Sequence, residues 1–437
     1  MPLCSWRSLT RLAFLLLAML AAASAQETTP TIVTVPSAAE PSPNFSAEEA
    51  TNAWMGEIPA ASKARSDAYF EGGYWLVLWD FLYLVTVSLA LLHFGWSANM
   101  RDLAERITRF RWLQTIFYIL LYILATTILT FPLTAYEGFL REHQYGLSTQ
   151  SFGPWTGDQF KSLLVNIVLA IIVGAPLLWV VRRFRGTWWI WGSLVSLLFV
   201  VFVALLGPVY VTPIFNNVTK LEDPKVTGPI LRMARANGIP AKDVYEIDAS
   251  RQTTRISANV SGLGRTMRIT LNDNLLRRGS PAEILSVMGH EMGHYVLNHV
   301  YKALLFSAVV IFLAFAWLRW SLDWCLARWG AKWRVRDTAD CAVVPLVLVL
   351  GSLFVLILTP ILNTYVRTAE YEADMYGLNA SREPDGFAEA AIHLAEYRKM
   401  KPGPMEEWIF FDHPSGYNRI YAAMRWKAEN LQTPGVK

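Results

Sequence analysis

Cysteine is nearly absent from this chain: three in 437 residues, at Cys4, Cys325 and Cys341, with no C-x-x-C spacing. That excludes both a disulfide framework and a thiolate metal site. Charge is also scarce, at 17% of residues against 53% hydrophobic, and the net charge is a modest +4. The length could hold two or three soluble domains. Long apolar runs, 18 tryptophans and a positive mean hydropathy describe an integral membrane protein instead. The basic residues sit beside the apolar runs, so they report membrane topology and exclude a nucleic-acid partner. Neither an internal repeat nor a glycine-rich phosphate loop occurs.

Residues 1–25 join a basic start (Arg7, Arg11) to the apolar run LAFLLLAMLAAA and an Ala23-Ser24-Ala25 cleavage pattern. This predicts a secretory signal peptide, with an uncleaved first membrane helix as the alternative. Residues 26–73, rich in Thr, Pro, Ser, Ala and Glu without periodicity, are expected to form a disordered spacer. Six further runs reach the ~20 residues that cross a bilayer. Four fill 74–211 and two form a hairpin over 301–366. Pro360 is expected to kink the last of them. Asp80, inside the first, should face the protein interior or a watery cavity.

Three loops are rich in arginine and lysine. They hold Arg101, Arg106, Arg109 and Arg111, then Arg182, Arg183 and Arg185, then Arg328, Lys332, Arg334 and Arg336. The intervening loop, Tyr136 to Lys161, carries only Arg141 and Lys161. The positive-inside rule sends the three basic loops to the cytoplasm and, by parity, the polar blocks 212–300 and 367–437 to the opposite side. A signal peptide demands the same orientation, and its bacterial appearance predicts a bacterial inner membrane.

The first polar block ends on SPAEILSVMGHEMGHYVLNHV, Ser280 to Val300. Ser280 suits an N-cap, Pro281 the first helical position, and Glu283 completes an S-x-x-E capping box. Within this helix His290 and His294, four apart, project from one face, with Glu291 between them. That H-e-x-x-H spacing suits two imidazoles on one tetrahedral Zn²⁺ and a glutamate as general base. In the second block Glu370 and Asp374 share a helical face, which allows one carboxylate on the metal and one behind it. Two histidines, one glutamate and an open position make a catalytic zinc site, with one Zn²⁺ per chain. Upstream, Ser257-Ala258-Asn259 leads into a turn at Gly262-Leu263-Gly264. There an exposed strand edge could pair with a peptide by β-augmentation, or form an ordinary hairpin.

These motifs, with Arg367-x-x-Glu370-x-x-x-Asp374, Asn298-His299, His413-Pro414 and Arg419, resemble those of the type I CAAX prenyl proteases, which are integral-membrane zinc enzymes. The resemblance runs from about Phe131 to Ile420 and includes Pro213-Ile214-Phe215-Asn216-Asn217 and Glu142-His143-Gln144-Tyr145-Gly146-Leu147. It implies a mainly α, polytopic membrane fold carrying a gluzincin-type zinc peptidase domain with a small β element. It also implies a chamber partly within the bilayer, entered by peptide or protein substrates. By the same resemblance His413 and Arg419 lie near the scissile carbonyl, and Arg367, Asp374 and Asn298 orient ligands or substrate. Where the family tends to read Asn-Ala-Tyr, this chain has Ser257-Ala258-Asn259, a departure in the substrate-contacting stretch. The expected function is a zinc metalloendopeptidase. The alternatives are a quality-control protease like the heat-shock membrane metalloproteases, or a non-catalytic zinc-stabilised scaffold or transporter. Eukaryotic relatives present their site to the cytosol, whereas the charge pattern here points the other way. A reporter active only outside the cytoplasm, fused after Lys437, should therefore be active. Activity from a cytoplasmic reporter at the same position would reverse the orientation.

Overall fold

The structure, a computed structural model, describes residues 34–261 and 267–431, so the signal peptide and the Gly262-Leu263-Gly264 turn lie outside the described residues. Chain order begins with helix α1 (Ala47–Gly56), inside the segment expected to be a disordered spacer. For residues 47–56 and 60–73, which are helical, that expectation is corrected. The Ser46 hydroxyl accepts from the Glu49 N–H at 3.3 Å, capping the helix, and Ala50, Thr51 and Trp54 form its buried face. Ala50 and Trp54 pack with Leu378, Phe387, Met424 and Trp426 of the C-terminal block. Ser46-x-x-Glu49 was a legible start signal. What composition could not show is that so short an apolar face has a partner more than 300 residues away.

Helix α2 (Ala60–His93) likewise begins well before its apolar run. Its polar first half is tied to the same block by Tyr74 Oη donating to Glu406 at 2.8 Å and by a Lys399–Glu71 ion pair at 2.6 Å. Helix α3 (Trp96–Ile107) lies in the first basic loop. Then come α4 (Arg111–Ala135), α5 (Phe152–Arg183) and α6 (Trp188–Leu206). Later in the chain are α7 (Pro224–Ala236), α8 (Pro281–Val296), α9 (His299–Trp329) and α10 (Val344–Ser381), followed by α11 (Pro384–Leu394), α12 (Pro404–Phe410) and α13 (Gly416–Leu431). Among the described residues six helices are long and apolar enough to cross a membrane, and they cover the six runs read from sequence. Asp80 lines a cavity with Tyr83, Thr126, Thr130 and Glu137, as its cost in lipid demands.

All three basic loops meet at one end of the bundle. Arg101 pairs with Asp340 at 2.5 Å, Arg336 with Glu105 at 2.6 Å and Arg334 with Asp102 at 2.8 Å, while Arg182 donates to the Ala339 carbonyl at 3.2 Å. At the other end α9 and α10 carry the chain straight from the apolar bundle into the polar blocks. Helix α10 runs unbroken through Pro360 to Ser381, so no boundary separates its apolar stretch from the residues after 366.

Four short strands form a sheet of order β1-β2-β4-β3: β1 (Val218–Lys220), β2 (Val244–Ile247), β3 (Ala258–Ser261) and β4 (Arg268–Asn272). The β2–β4 pair is parallel, and β3 runs antiparallel to β4 with Ala258 opposite Leu271. Val244, Ile269 and Leu271 pack against Ile284, Met288 and Met292 on one face of α8. The sheet thereby holds the other face of that helix toward the C-terminal block.

Candidate metal centre

Helix α8 forms where the sequence predicts, with the Ser280 hydroxyl accepting from the Glu283 N–H at 3.1 Å. Only half of the expected capping box is made. The Glu283 carboxylate turns inward, fully buried, and accepts from His393 Nδ1 of α11 at 2.8 Å. What positions α8 is an absence of side chains. A Cβ on Gly289 would sit 2.9 Å from the Gly377 carbonyl oxygen, and one on Gly377 would sit 2.7 Å from the His290 nitrogen. A Cβ on Gly293 would meet Ala373 at 3.2 Å. Glycine therefore lets α8 and α10 touch along their backbones, and ligand side chains from both then converge.

His290 Nε2 lies 3.1 Å from His294 Nε2 and 3.2 Å from Glu370 Oε2, and His294 Nε2 lies 3.5 Å from Glu370 Oε1. A tetrahedral ion with ~2.0–2.1 Å bonds has ligand–ligand edges of about 3.3–3.4 Å, so these three donors are spaced to hold one. Their bonding supports the fit. His290 Nδ1 meets Asp374 at 2.8 Å, so a neutral ring donates there and turns a lone pair toward His294. Glu370 Oε2 is buried and has no aligned hydrogen-bond donor. Two imidazole lone pairs and an orphaned carboxylate oxygen facing one another call for a cation. Burial works against a charged His290, but hydrogen bonds to Asp374 and Glu370 outweigh it and push its pKa up to about 9, so the surroundings of this ring favour positive charge.

Around this cluster a cavity of about 290 Å³ is lined by Glu291, His413, Arg419, Arg398, Ser257 and Ala258, among others. Loss of water pushes the Glu291 carboxyl above its usual range, partly offset by the two histidines. His413 Nε2 stands 3.2 Å from Glu370, and its Nδ1 is held by Asp412 at 2.8 Å. Arg367 donates to the Phe411 carbonyl at 2.6 Å and to that of Glu407 at 2.8 Å, fixing the loop that carries His413. Arg419 grips Asp374 through Nε at 3.0 Å and Nη2 at 2.6 Å. It thus supports the residue that supports His290.

Two expected residues stand elsewhere. Asn259 is exposed on β3 and does not line the cavity, whereas Ser257 and Ala258 do. The Ser257 N–H and C=O are both taken by Asn272. Asn298 is exposed, with its side chain reaching only the Val296 carbonyl at 3.4 Å. Its part is in the backbone: at φ 58° it occupies the left-handed region between α8 and α9, which asparagine tolerates. That turn brings the next residue, His299, to 2.8 Å from His294 Nδ1. Helical periodicity hides this contact, because α8 ends before it. Tyr397 and Arg398 also line the cavity without a motif to mark them.

Two family models match. Residues 220–427 match peptidase family M48, and residues 46–217 match the CAAX prenyl protease N-terminal region of five membrane helices. An uncharacterized metalloprotease of Bacillus subtilis, YhfN, is 30% identical over 79% of this chain and 82% of its own. CAAX prenyl protease 1 of Saccharomyces cerevisiae is 28% identical over 68% of this chain and 69% of its own. The crystal structure of S. mikatae Ste24p superposes with a TM-score of 0.71 at 22% identity, covering 84% of this chain and 89% of that one, and so shares the fold.

The helix contact yields a prediction. Gly377→Ala places a methyl 2.7 Å from the His290 nitrogen. It should cost ~1–3 kcal/mol by overpacking and weaken metal retention. Thermal melts with and without added zinc measure both effects, and a wild-type melt with wild-type metal dependence would show the close approach to be dispensable.

Proposed function

This chain belongs to peptidase family M48 and is an integral-membrane metalloendopeptidase, and from that premise we propose that it holds one zinc ion through His290, His294 and Glu370, with Glu291 as the general base. The observation that carries the assignment is the convergence of three metal-competent atoms from two helices, beside a cavity that His290, Glu370 and Glu291 line. Family membership displaces the alternative of a non-catalytic scaffold or transporter.

When bound, zinc supplies Lewis acidity, bringing the pKa of a water near ~7 and polarising the scissile carbonyl. The chain's own residues do the rest. Glu291, with its pKa raised by the dry cavity, takes the proton from the attacking water and returns it to the leaving amine. His413, whose Nδ1 hydrogen goes to Asp412 and whose loop Arg367 fixes, carries a second hydrogen on Nε2 when protonated and in that form donates to an oxyanion in the cavity it lines. Asp374, gripped by Arg419, keeps His290 in the tautomer whose Nε2 is free. Arg419 also lines the cavity. Ser257 and Ala258 border the cavity at a sheet-edge strand, which suits an extended peptide. The substrate is thus a peptide or protein segment reaching the site from the membrane or its surface. The arginine-rich loops support a site on the extracytoplasmic side of a bacterial inner membrane.

Glu291→Gln keeps the shape and removes the base. Zinc content and thermal stability should stay near wild type, while peptide hydrolysis falls by the ~10²–10⁴-fold typical of a lost acid–base group. His290→Ala should lose metal and activity together. Undiminished hydrolysis by Glu291→Gln, measured on purified protein with and without chelator, would remove Glu291 from the proton transfer.

A further inference from the structure

The two histidines of the cluster are supported differently. Behind His290 stands a carboxylate, Asp374, 1% exposed and clamped by Arg419. Behind His294 stands another imidazole. His294 Nδ1 is 2.8 Å from His299 Nδ1, and the far nitrogen of His299, Nε2, is 3.0 Å from Glu372 Oε2. Lys302 Nζ donates to that same oxygen at 2.9 Å. His299 itself is buried, at 6% exposure, so its tautomer is set chiefly by these protein partners.

Following the protons along this line leaves one arrangement. A carboxylate accepts only, so His299 Nε2 carries the hydrogen that goes to Glu372. His299 Nδ1, in a neutral ring, is then an acceptor. His294 Nδ1 must carry the hydrogen between the two rings, and His294 Nε2 is left as a lone pair. That nitrogen faces His290 and Glu370 at 3.1 and 3.5 Å. If His299 were turned or absent, nothing at this position would hold the hydrogen on Nδ1. The ring could then place it on Nε2, where it blocks a metal.

We propose that His299 and Glu372, the latter held by Lys302, are positioning residues that fix His294 in its metal-binding tautomer. Asn298 contributes by its left-handed turn, which aims His299 back at α8. The inference rests on the assignment of His290, His294 and Glu370 as metal ligands. It adds a second support line, ending at a half-exposed Glu372 near the surface, to the buried Asp374–Arg419 line. The rival role for His299 is plain packing at the start of α9, which would affect folding but not metal affinity.

The test is the zinc affinity of the full-length protein in detergent, measured by competition with a fluorescent chelator, with circular dichroism to confirm that each apo variant is folded. His299→Ala should weaken zinc binding by the ~10–100-fold typical of removing a group that orients a ligand. His299→Asn should stay within about threefold of wild type, because its side-chain oxygen can accept in place of Nδ1. Glu372→Ala should weaken zinc binding by about threefold to tenfold, as a more distant member of the same line. His290→Ala serves as the reference for loss of a ligand. Wild-type zinc affinity in both His299→Ala and Glu372→Ala, with His290→Ala impaired, overturns the inference and leaves the ligand set standing. Wild-type affinity in all three overturns the ligand set itself. A fall in His299→Asn as deep as in His299→Ala also contradicts the acceptor role. Should His299→Ala fail to fold, Glu372→Ala decides alone, and unchanged affinity there overturns the inference.

Discussion

The backbone contact between α8 and α10 is the constraint on which the site depends. Gly289, Gly293 and Gly377 with Ala373 leave no side-chain layer between the two helices. Imidazoles on one helix can then share a point with a carboxylate on the other. Helix axes ordinarily lie 8–10 Å apart, at a distance set by the side chains at the contact. The sheet presses α8 into this contact through Met288 and Met292, and α11 closes over it where Gly386 meets Ala282 and Glu283. Because α10 is one helix from the apolar bundle to Ser381, Glu370 is placed by the same rod that crosses the membrane. A site on rigid helices beside the bilayer follows from that continuity.

Charge is arranged in lines rather than as isolated pairs. Asp374 and Arg419 are both sheltered from water, an arrangement whose desolvation cost is comparable to its Coulombic gain. Its value lies in direction: each member fixes the other, and together they fix His290. Burial opposes charge on Arg419, but Asp374 holds the guanidinium's pKa above its usual value. On the other side of the cluster the line through His299 and Glu372 does the same for His294 with weaker, more solvated groups. Removing either end leaves a ring free to rotate or to change tautomer.

Much of this was legible in the sequence. His290, His294, Glu370 and Asp374 lie together in the fold, and their grouping could be anticipated because i, i+4 spacing on a helix survives folding unchanged. The six membrane helices were found because lipid demands ~20 apolar residues whatever the tertiary contacts. Other features were hidden for physical reasons. Helix α1 binds a partner far along the chain, so its composition alone resembled a spacer. The resemblance gave a supporting role to Asn298 and none to His299, because only the left-handed turn at Asn298 shows that His299 is the one that meets His294. Glu283 was read as a cap, yet its carboxylate serves His393, a contact 110 residues away. Arg419 lines the same cavity, but its commitment to Asp374 is a matter of three dimensions.

The central claim is that one zinc sits where α8 and α10 touch. Diffraction data collected on crystals of the purified protein at energies above and below the zinc absorption edge test it directly. The account predicts one anomalous peak per chain, ~2.0–2.2 Å from His290 Nε2, His294 Nε2 and a Glu370 oxygen. A peak bound by another carboxylate, or crystals of active enzyme with no zinc signal at these three side chains, would contradict it.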